Sequence, residues 1–389
     1  LPGSAGGAAF WGDQRDDNKA SSNLEGLAAC AGALVRCGVG GRSAHDRDSK
    51  SIMIIIESYG VAVVMCVITM LCWGSWANTQ KLASKEWRFQ LFYWDYAIGV
   101  LLLGLLLAFT LGSTGEGGRS FMADLKQADS RWLVSAFVGG VIFNLSNILL
   151  VAAIDIAGMA VAFPVGVGLA LVLGVVTTFL STHEGNAPML ALGVAAIVVA
   201  ILLDALAYKR LSRSDQKTPM KGIVISVAAG LLMGFFYKYV AQAMGKIDHV
   251  AGLAVLEPGK LSPYTAVVLF SLGLLLSNFL WNSIMMVKPF TGPPVRFGDY
   301  FKGSARLHLV GLLGGMIWNL GMSFSIIAST KAGAALSYGL GQGATMIGAF
   351  WGVFIWKEFK GAPAGTNKLL VAMFVFYLLG LAILIASKL

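Results

Sequence analysis

Long apolar runs alternate with short polar breaks over most of this chain. A helix needs about 20 apolar residues to cross a bilayer. From residue 53 onward ten segments approach or exceed that length: 54–79, 92–112, 132–153, 157–181, 187–208, 220–244, 263–287, 307–329, 332–356 and 368–387. Most of them lack the polar face that a surface helix of a soluble bundle would carry. The connections are mostly short, so neighbouring helices are expected to run antiparallel. The pattern predicts an all-α integral membrane protein with ten transmembrane helices.

One part of this pattern is written twice. Val138-Gly139-Gly140-Val141-Ile142-Phe143-Asn144-Leu145 returns as Leu313-Gly314-Gly315-Met316-Ile317-Trp318-Asn319-Leu320. At the same offset Ala157-Gly158 answers Ala332-Gly333, Gly166 and Gly168 answer Gly341 and Gly343, Phe179 answers Phe354, and Ala187-Pro188 answers Ala362-Pro363. A basic inter-repeat loop, 209–219, separates five predicted helices from five. An odd number per half reverses the direction of the second copy. Two inverted five-helix repeats are therefore expected, 53–208 and 220–389. Residues 1–52 stand apart, rich in Gly, Ala, Ser, Arg and Asp without periodicity. They are read as a disordered or non-native N-terminal extension, with Met53 the expected natural start.

Composition agrees with the membrane reading. Only 13% of the residues are charged and 57% are hydrophobic, against about 25% charged in soluble domains. The 48 glycines suit close helix contact in lipid. A net charge of +9 raises nucleic acid as a partner, but no basic stripe interleaved with aromatics exists. The basic residues lie instead in the loops. Those after predicted helices 1, 5, 7 and 9 carry the larger share, which places them, the helix 5–6 loop included, on the cytoplasmic side. Cys30, Cys37, Cys66 and Cys72 have no metal-ligand spacing, and the four histidines have no partner at metal distance in sequence. No nucleophile elbow or paired intramembrane acid points to an enzyme.

Several stretches resemble a known family. Met53–Gly60, Trp73-Gly74-Ser75-Trp76, Asp95-Tyr96 and Ala108-Phe109-Thr110-Leu111-Gly112 are similar to the opening of plant ureide permeases, and Phe350-Trp351-Gly352-Val353 with Glu358 to their penultimate helix. The core also resembles bacterial glucose/ribose and rhamnose porters of the drug/metabolite transporter superfamily. The resemblance covers about residues 53–389. It implies a ten-helix secondary transporter with a central cavity for a sugar or for a ureide or nucleobase. The plant proteins carry a large cytosolic loop between helices 5 and 6. Here that loop is short and has no phosphate-binding Gly-rich element, which favours a bacterial protein.

Polar groups in hydrocarbon are costly unless paired or facing water, so each is a candidate. Asn144 and Asn319 occupy equivalent repeat positions near mid-helix. They either bind a neutral polar solute or join neighbouring helices. Asn147 shares the face of Asn144. Tyr338 and Gln342 sit beside Gly341 and Gly343, and Pro164 beside Gly166 and Gly168. These two stretches are candidate helix breaks or gates, with small-residue packing as the plainer reading. Trp73 and Asn78 on helix 1 and Tyr237 and Lys238 on helix 6 complete the candidate substrate-binding set. Trp76 reads as interfacial belt, and Lys238 either meets a charge or snorkels. Among the carboxylates Glu57 and Asp95 lie near helix ends, Asp155 reads as a cap, Asp204 as paired with a basic neighbour, and Glu358 as surface. None stands out as a proton carrier.

These features point to a secondary-active permease that moves a small polar solute across the cytoplasmic membrane of a bacterium by alternating access. A metabolite or drug exporter of the same superfamily is the alternative, and a membrane enzyme or scaffold a more distant one. No cofactor or metal is expected beyond a coupling proton or sodium ion. The partners are the solute and the bilayer, not nucleic acid, and the expected state is a monomer or a loose homodimer.

Overall fold

The computed structural model describes residues 53–84, 86–115, 117–157, 159–183, 185–211, 220–250 and 253–388, all within the compact unit Asp48–Leu389. The expectation for 1–52 lies outside the described residues, as does that for most of the 209–219 loop. Among the described residues fourteen α-helices, a π-helical turn and two short strands follow in order. They are α1 (Tyr59–Ser75), α2 (Ala77–Ala83), α3 (Phe89–Phe109), α4 (Phe121–Gln127), α5 (Ser130–Ala157), α6 (Met159–Thr182), α7 (Ala187–Leu211) and α8 (Met220–Ala243). The hairpin β1 (Ile247–Val250) and β2 (Leu253–Leu256) comes next, then α9 (Pro263–Val287), α10 (Phe297–Tyr300), α11 (Ala305–Ala332), α12 (Ala334–Gly341), α13 (Ala344–Phe350), the π-helix Trp351–Ile355 and α14 (Thr366–Ala386).

Among the described residues nine helices are long and apolar enough to cross a membrane, with α1 and α2 together forming the first. Their outer faces expose large aliphatic and aromatic side chains such as Leu102, Leu106, Leu180, Leu202, Phe279 and Leu378. Such a surface is unfavourable in water and suited to lipid.

The expected span 332–356 is not one helix. It divides into α12, α13 and the π-helix. At the joint the Gln342 and Gly343 amides bond to Tyr338 and Leu340, and the Thr345 hydroxyl caps the Gln342 carbonyl at 2.9 Å. Glycines on both sides of Gln342 weaken helix propagation, and the side-chain cap gives the local backbone another partner. The start of the first expected span also differs. Residues 53–58 are not helical, and Ile54 bonds to the Leu111 carbonyl at 3.0 Å. Helix α1 begins only after Ser58, whose hydroxyl accepts the Val61 amide. The hairpin departs from an all-α reading. Its four-residue strands, paired Ile247 to Leu256, are too short to show a clear alternation in sequence.

Helices from the two copies of the repeated octet cross-pack at equivalent points. Gly140 stands against the carbonyl of Phe270, and Gly315 against that of Tyr96. Gly273 stands against the carbonyl of Phe137, and Gly99 against that of Leu312. Each glycine lets two backbones touch where a side chain would hold them apart.

One end of the bundle is tied shut. Arg119 reaches Asp124 at 2.9 Å and also donates to the carbonyls of Leu256, Glu257 and Lys260. Gln127 donates to the Lys260 carbonyl, its own carbonyl accepts the Gly259 amide, and Asp124 accepts the Ser262 amide at 2.7 Å. The α4 region and the hairpin are thereby strapped across the same end.

Candidate functional site

A cavity of about 420 Å³ opens at the other end. Its inner end is aromatic. Trp73, Phe143, Phe236 and Trp318 line it, with Phe143 and Trp318 ring centroids 4.4 Å apart and Trp73 stacked on Trp318 at 5.9 Å. The Trp73 indole nitrogen is spent on the Trp318 carbonyl at 3.1 Å, so that ring offers the cavity its π face. Gly321 and Gly341 leave room for this indole. A Cβ on either would stand 2.7 Å from it.

Polar groups occupy the walls. Asn147 donates to Tyr93 Oη at 3.0 Å, and its carbonyl oxygen has no hydrogen bond with any described residue. The Gln342 carboxamide makes no hydrogen bond with any described residue, and both carboxamides line the cavity. Asn78 is committed at both ends, donating to the Ser75 carbonyl at 2.9 Å and accepting from the Trp356 indole at 2.7 Å. At the mouth Lys81 pairs with Glu358 at 2.7 Å and lies 4.2 Å from the Trp356 ring centre, while Tyr208 donates to the other Glu358 oxygen at 2.8 Å. Glu358, expected at the surface, thus forms part of a latch between α2 and the segment after the π-helix. Trp76 also lines the cavity and packs on Tyr96 at 4.9 Å.

Four of the candidate substrate-binding residues therefore meet in one cavity: Trp73, Asn78, Asn147 and Gln342. Five do not line it. Asn319 donates to the Val100 carbonyl at 2.7 Å. Asn144 donates to Ser277 Oγ at 2.9 Å, and that hydroxyl bonds the Leu274 carbonyl. Tyr237 meets Ser325 Oγ at 2.9 Å, and Tyr338 reaches the carbonyls of Ala170 and Met233. Lys238 is half-buried and has no ion pair among the described residues. Helix α6 runs through position 164 without a break, and the side chain of Pro164 lies outside the described residues. Gly166 packs on Leu150, Gly343 on Met70, and a Cβ at Gly168 would meet Ile201 at an ordinary contact distance of 4.0 Å.

Phe143, Trp318 and Phe236 were not singled out from the sequence. The repeated octet held a signal for two of them, because an aromatic residue precedes the Asn in each copy. Asp204 lines the cavity without the basic partner expected for it. Asp95 is buried away from the cavity, where Tyr300 donates to it at 2.5 Å and His308 Nδ1 stands 3.0 Å from both its oxygens. Burial and this carboxylate push the Tyr300 phenol well above its ordinary pKa.

The sequence model of the ureide permease family matches residues 92–218 and 203–387. The chain belongs to the ureide permease family. The permease is therefore an integral membrane protein and a transporter rather than an enzyme. It is 23% identical to ureide permease 1 of Arabidopsis thaliana over 86% of this chain and 99% of that protein. It is 24% identical to ureide permease 5 of the same plant, over 86% of the chain and 95% of that protein. A glucose uptake protein of Bacillus subtilis (strain 168) is 24% identical over 66% of the permease and 77% of its own length. A solved structure described only as the crystal structure of a protein shares the fold, with a TM-score of 0.50 at 16% identity over 84% of this chain and 96% of that one.

Proposed function

We propose that this permease moves a small, neutral, polar ring compound by alternating access, with a ureide or nucleobase as the first choice and a hexose as the second. The observation that carries the reading is the cavity itself. Its inner end offers aromatic faces, its walls carry two carboxamides with unspent hydrogen-bonding capacity, and its volume of about 420 Å³ suits one such solute. Flat heterocycles stack on rings, and their N–H and C=O groups match carboxamides. The hexose reading draws on the glucose uptake relative. The stacked indoles of Trp73 and Trp318, with Phe143 packed beside them, favour the flat solute.

The mechanism uses ten crossings. The nine long helices supply nine, and α12, α13 and the π-helix together supply the tenth, the irregular backbone being tolerated because it lines a cavity. The halves 53–208 and 220–389 are inverted repeats that rock about the cavity. In this state the Arg119–Asp124 strap closes one end and the cavity opens at the other. The basic loops support a cytoplasmic position for the open end.

Counterflow in proteoliposomes tests this. Vesicles preloaded with allantoin, uracil or glucose should take up the labelled form of at least one of them. A protein that exchanges none of the three does not fit the reading.

A further inference from the structure

Asp204 differs from the other described acid buried in the spans. Asp95 is held by His308 and Tyr300, whereas Asp204 has no hydrogen bond or ion pair with any described residue. It lies on α7 in the cavity wall, is 7% exposed, and its Oδ1 is fully buried without a partner.

The surrounding groups do not compensate a negative charge there. Glu358 adds a second carboxylate within electrostatic reach, and its cation, Lys81, is already committed to it at 2.7 Å. Tyr208, one turn along α7, spends its proton on Glu358. From α14 the facing group is Tyr377, a buried neutral phenol that brings no positive charge. Helix α6 carries no titratable residue. Lys209 and Arg210 close the end of α7, and the Arg210 guanidinium is turned towards Gly365. An ionised carboxylate so placed is strongly disfavoured, and a proton removes the charge.

We propose that Asp204 is the proton-binding site of this permease. This assignment rests on the permease reading above. The residue takes a proton from water while the cavity faces outward and returns it to cytoplasmic water once the mouth opens there. The oxygen without a partner is sealed behind the cavity surface, where a proton can go and a solute cannot. Proton and solute therefore bind together without competing, and they move in the same direction.

The full chain in proteoliposomes tests the assignment, with labelled allantoin and labelled glucose in separate runs. An alkaline interior should drive accumulation of at least one of them by the wild type. Asp204→Asn should lose about tenfold or more of that accumulation while retaining counterflow that no longer varies with pH. Asp204→Glu should restore proton-driven uptake with a displaced pH profile. Accumulation by Asp204→Asn equal to wild type overturns the assignment, as does accumulation that follows sodium and ignores pH. If Asp204→Asn loses counterflow as well, Asp204→Glu decides: an unchanged pH profile overturns the proposal. A wild type that exchanges neither solute is a separate result and counts against the permease reading itself.

Discussion

Phe143 and Trp318 hold the same place in the two copies of the repeated octet, and their rings meet with centroids 4.4 Å apart. The repeat thus supplies the inner end of the cavity through its aromatic residue. The Asn that follows in each copy turns to a different task, clamping a helix from the other half.

The first prediction follows from that pair. Phe143→Leu keeps the site apolar but removes the ring from its contact with Trp318. Aromatic pairs contribute about 0.5–1.5 kcal/mol beyond simple burial. Solute affinity should therefore fall by up to about tenfold. Quenching of indole fluorescence by allantoin or uracil reads this directly, since Trp73 and Trp318 face the same space. Unchanged affinity would mean that the solute binds nearer the mouth.

A second prediction separates two kinds of glycine. A Cβ at Gly140 or Gly315 collides with a backbone carbonyl, which cannot rotate away as a side chain can. Alanine at either position should destabilise the protein by about 1–3 kcal/mol or more. Gly168 has nothing closer than 4.0 Å. Gly168→Ala should be neutral or gain up to about 1 kcal/mol through helix propensity. Thermal unfolding in detergent measures all three, and equal effects would remove the cross-packing argument.

Most of the fold was legible because hydrocarbon leaves a chain few choices. Runs such as 187–208 and 263–287 can only be helices once they are in lipid. The ninth expected span misled because Gly341-Gln342-Gly343 interrupts the regular helix with a turn without interrupting the apolar run. The cavity was only partly legible. Trp73, Asn78, Asn147 and Gln342 stood out as polar or aromatic groups in apolar surroundings, but so did Asn144, Asn319, Tyr237 and Tyr338. A carboxamide or phenol bound to a neighbouring helix looks the same in sequence as one that faces a solute. Pairing across more than 200 residues, as between Asn319 and Val100, decides between them, and no local pattern reports it.

That ambiguity gives a third prediction. Asn319→Leu removes the bond to the Val100 carbonyl and should cost about 0.6 kcal/mol of stability and no more than about 1.7 kcal/mol, the mean and upper value for interhelical hydrogen bonds in membranes. Its solute affinity should be close to wild type. Asn147→Leu should do the opposite to affinity, weakening it several-fold, because its free oxygen faces the cavity. Solute titration followed by thermal shift resolves the two. If Asn319→Leu binds as poorly as Asn147→Leu, the clamp has been misread and Asn319 reaches the solute.

The strap at the closed end gives the last prediction. Asp124 has no exposed side-chain surface, and Arg119 is its only ion-pair partner among the described residues. Arg119→Leu leaves that carboxylate with amide and carboxamide donors but no cation. Breaking a buried pair from one side costs about 3–5 kcal/mol, because the remaining charge is uncompensated. Arg119→Leu combined with Asp124→Asn removes the charge as well, so the double variant should unfold at a higher temperature than Arg119→Leu alone. Arg119 also donates to three carbonyls of the hairpin segment, and those bonds are lost in both variants. Recovery should therefore be partial. Full recovery would assign the whole effect to the charge, whereas no recovery would make Arg119 a tie between loops whose contact with Asp124 is incidental.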